Sequence, residues 1–133
     1  MAKKYVCVDT DVCVNFLRKK EPCLALLITL FEKFDPCITS ITAFELYLGH
    51  IKMTRKDRIE DFITQFTILP FNLEAAIISA KIQDSLDRRG ENIGIPDTLI
   101  AGICVAENIP LLTLNEKLSL SFVEVERTPF ALS

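Results

Sequence analysis

The sequence is poor in several residue types, and each shortage excludes a class of protein. It contains one histidine, no tryptophan and five cysteines among 133 residues. No two cysteines form a CxxC pair and their number is odd, which argues against a zinc site and against a disulfide framework. Most of them stand in apolar contexts typical of small buried residues, and unpaired thiols favour a reducing compartment. The composition therefore predicts a cytoplasmic protein.

Long hydrophobic runs and a strong net charge are also missing. The longest near-apolar run, CLALLITLF, is far shorter than the roughly 20 residues of a membrane span. The opening MAKK leads into a short apolar run with no signal-peptide pattern, so no membrane association is expected. We expect the CLALLITLF run to be a helix buried on more than one side, in part by a second subunit or another partner. The net charge of −3 gives no bulk attraction to nucleic acid.

Short strand-like runs alternate with helix-like runs along the whole chain. We predict strands at Tyr5–Val8, Pro36–Thr39, Thr67–Pro70, Leu111–Leu114 and Phe122–Val125. The predicted helices are Val12–Arg18, Pro22 to about Phe34, Ile41–Leu48, Thr54–Gln65, Leu73–Arg89 and Asp97–Glu107. This alternation predicts an α/β fold with a mainly parallel sheet covered on both faces, and residues 1–133 form a single domain.

Local signals set the ends of several of these helices. Ser40 is expected to cap the helix Ile41–Leu48, and Gly49 is expected to stop it. His50 would then lie at the helix end, as a surface or capping residue. Pro96 is expected at the first position of the last helix.

Three acids stand where a strand hands over to a helix. Asp9 follows YVCV, Glu45 lies in ITSITAFELYLG, and Asp97 begins DTLIAGICVA. If the strands are parallel, all three project from one edge of the sheet, which is where open α/β folds place their sites. Three carboxylates there would bind a hard cation and support chemistry on phosphates.

Each acid also has a purely structural explanation. Asp9 could cap the first helix, Thr42 and Glu45 could form a capping box, and Asp97 could interact with a helix dipole. Glu45, however, falls one turn inside its helix with apolar neighbours, so its carboxylate needs a partner, a proton or a metal. The shared strand-to-helix position of the three acids favours the functional interpretation.

The three motifs together resemble the PIN-domain family. VCVDTDVCVNFL is similar to the family's opening motif, ITSITAFELYLG to its second and IPDTLIAGICVAENIPLLTLN to its third. They occur in the family's order over nearly the whole chain. The residues of these motifs and the chain length are most similar to those of the VapC toxins of toxin–antitoxin pairs. The resemblance implies a PIN-like three-layer α/β/α sandwich.

The activity that the resemblance implies is a Mg²⁺- or Mn²⁺-dependent endoribonuclease. Asp9, Glu45 and Asp97 would be its catalytic and metal-binding acids. Many members carry a further aspartate after the fourth strand, where this chain has Asn115, Glu116 and Lys117. The amide of Asn115 or the carboxylate of Glu116 could serve at this fourth position, which leaves open whether one or two ions bind. Thr10 and Thr113 would be polar groups beside the acids.

The resemblance also implies partners. VapC-type proteins are usually homodimers, and an antitoxin protein often covers the toxin. The apolar helices Cys23–Phe34 and Ile41–Leu48 could form the groove for the antitoxin. Two groups of basic residues are candidates for contacts with RNA phosphates. They are Arg18, Lys19 and Lys20, and Lys52, Arg55 and Lys56.

Two other functions are compatible with the same sequence. The Asp9-Thr10-Asp11 segment echoes the nucleophile motif of haloacid-dehalogenase-type phosphatases, although Cys13 departs from that pattern and no later lysine and acidic pair is evident. Alternatively, a PIN-like module with Asn115 in place of an acid could bind RNA or protein with little or no catalysis. Small phosphomonoesters would be the substrates of the phosphatase, whereas the inactive module would bind without cleaving.

Overall fold

Within the part of the chain that the structure describes, the sheet has four parallel strands, and the strand nearest the N-terminus is one of its two central strands. The computed structural model describes residues 3–53 and 56–115. The strands are β1 (Tyr5–Val8), β2 (Asp35–Thr39), β3 (Thr67–Leu69) and β4 (Leu111–Leu112). Their order is β3-β2-β1-β4, and each neighbouring pair is parallel. The prediction of a mainly parallel sheet is therefore confirmed, while the predicted strand Phe122–Val125 lies outside the described residues.

The helices of the described part agree with the predicted ones in place and order. They are α1 (Thr10–Leu17), α2 (Cys23–Lys33), α3 (Ser40–Met53), α4 (Lys56–Ile63), α5 (Leu73–Arg88) and α6 (Ile95–Glu107). Asn72 caps α5 by accepting a hydrogen bond from the Ala75 N–H. Pro96 was predicted at the first position of α6. The helix begins at Ile95, so Pro96 occupies its second position. Within residues 3–53 and 56–115, none of the helices is long and apolar enough to cross a membrane.

Alternate residues of the central strands face opposite sides of the sheet. Cys7 and Cys37 contribute to a core cluster with α5 and α6, whereas Val8 and Ile38 contribute to a second cluster with α1, α2 and α4. Four phenylalanine rings with centroids 5.0–6.0 Å apart fill the second cluster. Both faces of the sheet are thus covered by helices, and the predicted three-layer α/β/α sandwich is confirmed.

Among the described residues of this chain, helix α2 is buried on one side only, so the expected burial of a second side would have to come from another subunit or partner. Cys23, Leu27 and Leu30 form the buried face. Leu26 and Ile28 are 41% and 49% exposed on the opposite side. The helix covers one face of the sheet, and nothing within the described part of the chain covers its outer face.

Helix α3 differs from the prediction at both ends. It continues through Gly49 to Met53, because a glycine inside a helix costs only about 1 kcal/mol and burial on either side of it outweighs that cost. His50 is consequently a buried residue of the helix, only 7% exposed, and not a surface or end-capping residue. At the start of α3, the hydroxyl that accepts the Thr42 N–H is that of Thr39 at 3.1 Å, so Ser40 is not the cap. The Ser40 hydroxyl instead accepts the backbone N–H of Phe71 at 3.2 Å.

All five cysteines are buried free thiols, as their apolar contexts predicted. Cys7 and Cys37 lie side by side on paired strands. Desolvation raises the pKa of the Cys37 thiol to about 12, so this side chain stays protonated and behaves as a small apolar residue.

The order of the strands creates a crevice beside β1. The chain moves outward from β1 to β2 and β3, and then returns to the other side of β1 to form β4. Ligands of open α/β sheets bind outside the carboxyl ends of the strands, where the direction of winding reverses. The carboxyl ends of β1, β2 and β4 therefore define the place to look for a functional site.

Candidate active site

Asp9 is a buried carboxylate at the carboxyl end of β1. Its side chain is 2% exposed. Oδ1 accepts the backbone N–H of Thr10 at 2.8 Å, and Oδ2 accepts the hydroxyl of Thr113 at 2.6 Å. Asp9 is also the N-cap of α1, so the structural explanation holds alongside any functional one. A cap does not require a contact with the segment after β4, however, and the contact with Thr113 fixes the second oxygen of Asp9.

Glu45 is held toward the same crevice by a hydroxyl from α1. Its Oε1 lies 2.7 Å from the Thr10 hydroxyl, which itself lies 2.9 Å from the hydroxyl of Thr42. Glu45 is half-buried, although the neighbouring Phe44 and Leu48 are more exposed than their apolar character suggested. The partner that the Glu45 carboxylate was expected to need is thus the hydroxyl of Thr10. Thr42 does not form a capping box with Glu45.

The proton count orders these hydroxyls into a chain. A hydroxyl has one proton to donate, and an ionised carboxylate only accepts. Thr10 must therefore donate to Glu45, and Thr42 must donate to Thr10. Thr39 lies 3.4 Å from the Thr42 hydroxyl and donates to it in the same scheme. Because Thr39 and Thr42 are fully buried, water does not compete for these bonds.

Asp97 reaches the crevice from the first turn of α6. Its Oδ2 accepts a hydrogen bond from the side-chain amide of Asn115 at 3.3 Å. The backbone N–H of Asn115 donates to the Thr113 hydroxyl oxygen at 3.0 Å, and the Thr113 hydroxyl in turn donates to Oδ2 of Asp9. The segment after β4 therefore connects the two aspartates, and Asn115 contributes an amide at the position where the family resemblance implied an acid.

The charges of the three acids act on one another. The pKa of Asp97 is raised to about 6, first by burial and then by the negative charges of Asp9 and Glu45. Burial also raises the pKa of Asp9, against the lowering effect of the Thr113 hydroxyl. Asp11, an exposed residue of the first turn of α1, adds to the negative potential at both aspartates. This accumulation of negative charge is typical of a site that binds a cation or a proton.

The donor set fits a hydrated divalent cation. Carboxylate, amide and hydroxyl oxygens are the ligands that Mg²⁺ and Mn²⁺ prefer. Among residues 3–53 and 56–115, no three His, Cys, Asp or Glu side chains are grouped closely enough to hold one ion directly. Mg²⁺ is commonly held by one or two carboxylates and retains several waters, so three direct carboxylate ligands are not required. Asp9 and Asp97, which Thr113 and Asn115 connect, are the residues that would hold it.

The predicted RNA-binding residues lie in two places around the crevice. Arg18, Lys19 and Lys20 are exposed at the end of α1, and Lys52 is exposed near the end of α3. Arg18 and Lys52 each line a hollow that Glu45 also lines, so the structure brings these two cations to the neighbourhood of the acids. Arg55, the side chain of Lys56, and Glu116 lie outside what the structure describes.

Sequence reasoning missed three residues of this site. Thr39 was noticed only as the end of a predicted strand, Thr42 only as a possible capping-box residue, and Asp11 only as part of a phosphatase-like motif. The spacing Thr42-x-x-Glu45 was the signal for Thr42, because residues three apart lie on one face of a helix, and Thr39 precedes that helix at the same spacing. Their connection to Thr10 depends on how α1 packs against α3, which no local pattern gives.

Comparison of the sequence with known proteins gives one consistent result. The family model described as the PIN domain matches residues 6–121. The chain is 33% identical over 118 residues to "Ribonuclease VapC" of Rickettsia bellii, which covers 83% of this chain and 84% of that protein. It is 29% identical over 131 residues to "tRNA(fMet)-specific endonuclease VapC" of Salmonella typhimurium, covering 92% and 90%.

The fold agrees with solved structures of protein complexes. VapBC2 from Rickettsia felis, bound to a DNA fragment from its promoter, superimposes with a TM-score of 0.76 at 26% identity, covering 87% of this chain and 92% of that one. FitAcB from Neisseria gonorrhoeae gives a TM-score of 0.78 at 27% identity, covering 89% and 93%.

Proposed function

This chain belongs to the PIN domain family, and from that premise we propose that it is an endoribonuclease of the VapC toxin type that requires Mg²⁺ or Mn²⁺. Two similar proteins are named ribonuclease and tRNA-specific endonuclease, which makes RNA the substrate class and tRNA the first RNA to test. One observation carries the proposal. Asp97 lies at the carboxyl edge of a parallel sheet, where burial and then the charges of Asp9 and Glu45 raise the pKa of its carboxyl.

Asp9 and Asp97 would hold the cation, since both meet at the end of β4 and both have raised pKa values. An ion bound by these residues would supply positive charge to the scissile phosphate and would make water a stronger nucleophile at neutral pH. Glu45 orients the attacking water with the oxygen that Thr10 leaves available. The N-termini of α1 and α6 add a favourable potential for the phosphate group.

Asn115 supports this arrangement without adding a fourth negative charge. Its amide donates to Asp97 and lowers the pKa of that carboxyl, against the raising effect of burial. Asp97 is therefore easier to ionise than it would be beside another carboxylate. We propose that three acids and one amide make up the working site.

The protein also has surfaces that fit protein partners. Solved relatives are toxin–antitoxin assemblies, and α2 and α3 carry exposed apolar residues such as Leu26, Ile28 and Phe44. We propose that an antitoxin protein covers part of this surface and that a second copy of the chain covers another part. Five free thiols and an RNA substrate fit a cytoplasmic location.

The proposal is tested by incubating the purified protein with tRNA and with unstructured RNA, with EDTA or with Mg²⁺ or Mn²⁺. Cleavage is expected only with the metal. Asp97→Asn should reduce the rate by more than about 100-fold, because loss of even an indirect metal contact costs about 10–100-fold. Asp84→Asn is the matched control, since Asp84 is an exposed aspartate on α5 that pairs with Arg88.

A second readout does not depend on activity. The metal should raise the melting temperature of the wild type by binding the folded state, and Asp97→Asn should remove most of that rise. Metal-dependent stabilisation and RNA binding without any cleavage would instead identify a binding module. A metal shift that survives in Asp97→Asn would refute the site assignment.

A further inference from the structure

A small hollow lies beside the acid cluster and takes no part in the contacts described above. It has a volume of about 180 Å³ and lies between the end of α1, the middle of α3 and the start of α4. Drug-sized ligands occupy pockets of about 300–1,000 Å³, so this hollow suits a single small ring or side chain. Its walls are mainly apolar, formed by Val14, Leu17, Leu46, Met53 and Ile59.

The polar groups of the hollow are one carboxylate, one imidazole and two guanidinium groups. Glu45 lines the hollow as well as belonging to the acid cluster, so the two sites adjoin. His50 lines it, and its Nε2 is buried without a hydrogen-bond partner among the described residues. A buried polar atom without a partner costs about 1–3 kcal/mol and calls for an explanation. Arg18 and Arg58, both exposed, stand at the rim.

The rim is held in place by the fold. The Arg58 guanidinium donates to the Leu17 carbonyl at 3.2 Å, which ties the start of α4 to the end of α1. Lys19 and Lys20 follow Arg18 directly in the chain and are exposed. In a protein of net charge −3, this local group of cations is the feature that attracts a polyanion.

We propose that the hollow is a nucleobase subsite that takes one base of the RNA beside the scissile phosphate. The inference rests on the proposed ribonuclease function. A nucleobase has apolar faces for the leucine walls and a polar edge for His50, and it carries phosphates that suit Arg18 and Arg58. Because Glu45 belongs to both sites, a phosphate at the acids places the neighbouring base at this opening. An apolar side chain of a protein partner would match the walls but would leave the imidazole and the guanidinium groups unexplained.

Gly49 provides a direct way to fill the hollow. It lines the opening, and an added Cβ there would have nothing within 4 Å. Gly49→Leu should therefore fold and should block entry of the base. We expect KM for RNA to rise about tenfold, as for the loss of one stacked base, with little change in kcat. His50→Phe keeps the ring and removes the ring nitrogens, so it should change the base preference at the cleavage site.

The control fills a different hollow. Gly49 and Glu45 also border a second hollow between α3 and the start of α6, which Ile95 lines. Ile95→Phe enlarges a side chain in that hollow alone and should leave KM unchanged. The metal-induced rise in melting temperature should persist in all three variants, because none of them alters Asp9 or Asp97.

Affinity for a fluorescently labelled RNA oligonucleotide, measured with EDTA, separates this inference from the proposed function. If the wild type binds RNA without cleaving it, the nuclease proposal fails and the affinities of the variants still decide the subsite. Wild-type affinity and KM in both Gly49→Leu and His50→Phe would overturn the subsite. Weaker binding of a partner protein with unchanged RNA kinetics would assign the hollow to a protein side chain and would also overturn it. A wild type that neither binds nor cleaves RNA would overturn both proposals.

Discussion

Thr42 has no charge and is fully buried, yet its hydroxyl determines where the proton of Thr10 points. Because Thr42 donates its hydroxyl proton to the oxygen of Thr10, Thr10 directs its own proton to Glu45. The carboxylate of Glu45 therefore keeps one fixed orientation. The hydroxyl of Thr39 donates to that of Thr42 and orients it in the same way. At the scale of single residues, the site thus depends on neutral hydroxyl groups as much as on its acids.

Replacement of Thr42 tests this chain of hydroxyls. Thr42→Val keeps the shape of the side chain and removes its donor, which should lower kcat about 10–100-fold, as for other residues that orient a site. Unsatisfied partners should also cost about 1–3 kcal/mol of stability. Thr42→Ser restores the hydroxyl and should restore kcat in steady-state assays. Equal losses in the valine and serine variants would show that the methyl group matters and the hydroxyl does not.

The raised pKa of Asp97 predicts how metal-free protein responds to pH. The pKa is about 6 in the folded protein, against an ordinary value of 3.8. The folded state therefore binds the proton more tightly, and the resulting stability is fully present below about pH 4 and is lost as pH rises through 6. Melting temperatures measured in EDTA should fall over this range, less steeply in Asp97→Asn, and Mg²⁺ should oppose the fall at pH 7. Parallel curves for wild type and Asp97→Asn would contradict the assignment.

At the scale of elements, two helical glycines have opposite surroundings. Gly102 lies in α6 where that helix meets α5, and a Cβ there would overlap the hydroxyl oxygen of Ser79 and fall 3.0 Å from the Ala75 carbonyl. Gly49 in α3 has open space around it. The first glycine permits the close approach of two helices, whereas the second has no such role within the described part of the chain.

Alanine at each of these positions should therefore change stability in opposite directions. Gly102→Ala should destabilise the protein by about 1–3 kcal/mol, because overpacking forces α5 and α6 apart. Gly49→Ala should stabilise it by up to about 1 kcal/mol, the difference in helix propensity. Urea unfolding of both variants measures the two changes. Stabilisation by Gly102→Ala would mean that α5 and α6 separate at little cost.

The elements also show what the sequence could predict. Asp9 and Asp97 were identified because each directly follows a signal that ends a strand or starts a helix, and such signals act locally. The continuation of α3 past Gly49 was missed because the burial of Leu46 and His50 on the same helix outweighs the weak preference of one glycine. The contact between Thr10 and Thr42 was missed because it joins residues 32 positions apart.

At the scale of the whole molecule, several of the exposed apolar residues lie together on α3 and at the start of α6. Phe44 and Ile51 of α3 are 63% and 64% exposed, and Ile95 at the start of α6 is 58% exposed. Tyr47 and Leu48, which are also exposed, lie between Phe44 and Ile51 on α3. Phe44, Leu48 and Ile51 follow a helical spacing, so they form one continuous strip and not scattered residues.

This strip predicts the effect of one charged substitution on assembly. Phe44→Glu should convert the proposed homodimer to a monomer, because it places a charge in the middle of an apolar contact. Leu73→Glu is the control, since Leu73 is 75% exposed on α5, apart from the strip. Sedimentation equilibrium measures the mass of each variant. A monomeric wild type, or a dimer that survives Phe44→Glu, would refute this interface.

The hydrogen bond from Thr113 to Asp9 joins residues 104 positions apart in the chain. During synthesis on a ribosome, Asp9 leaves the exit tunnel long before Thr113 and Asn115 do. A nascent chain that ends before β4 lacks the Thr113 hydroxyl that donates to Asp9. It also lacks the Asn115 amide that donates to Asp97. The proposed nuclease site is thus incomplete until most of the polypeptide has emerged from the ribosome.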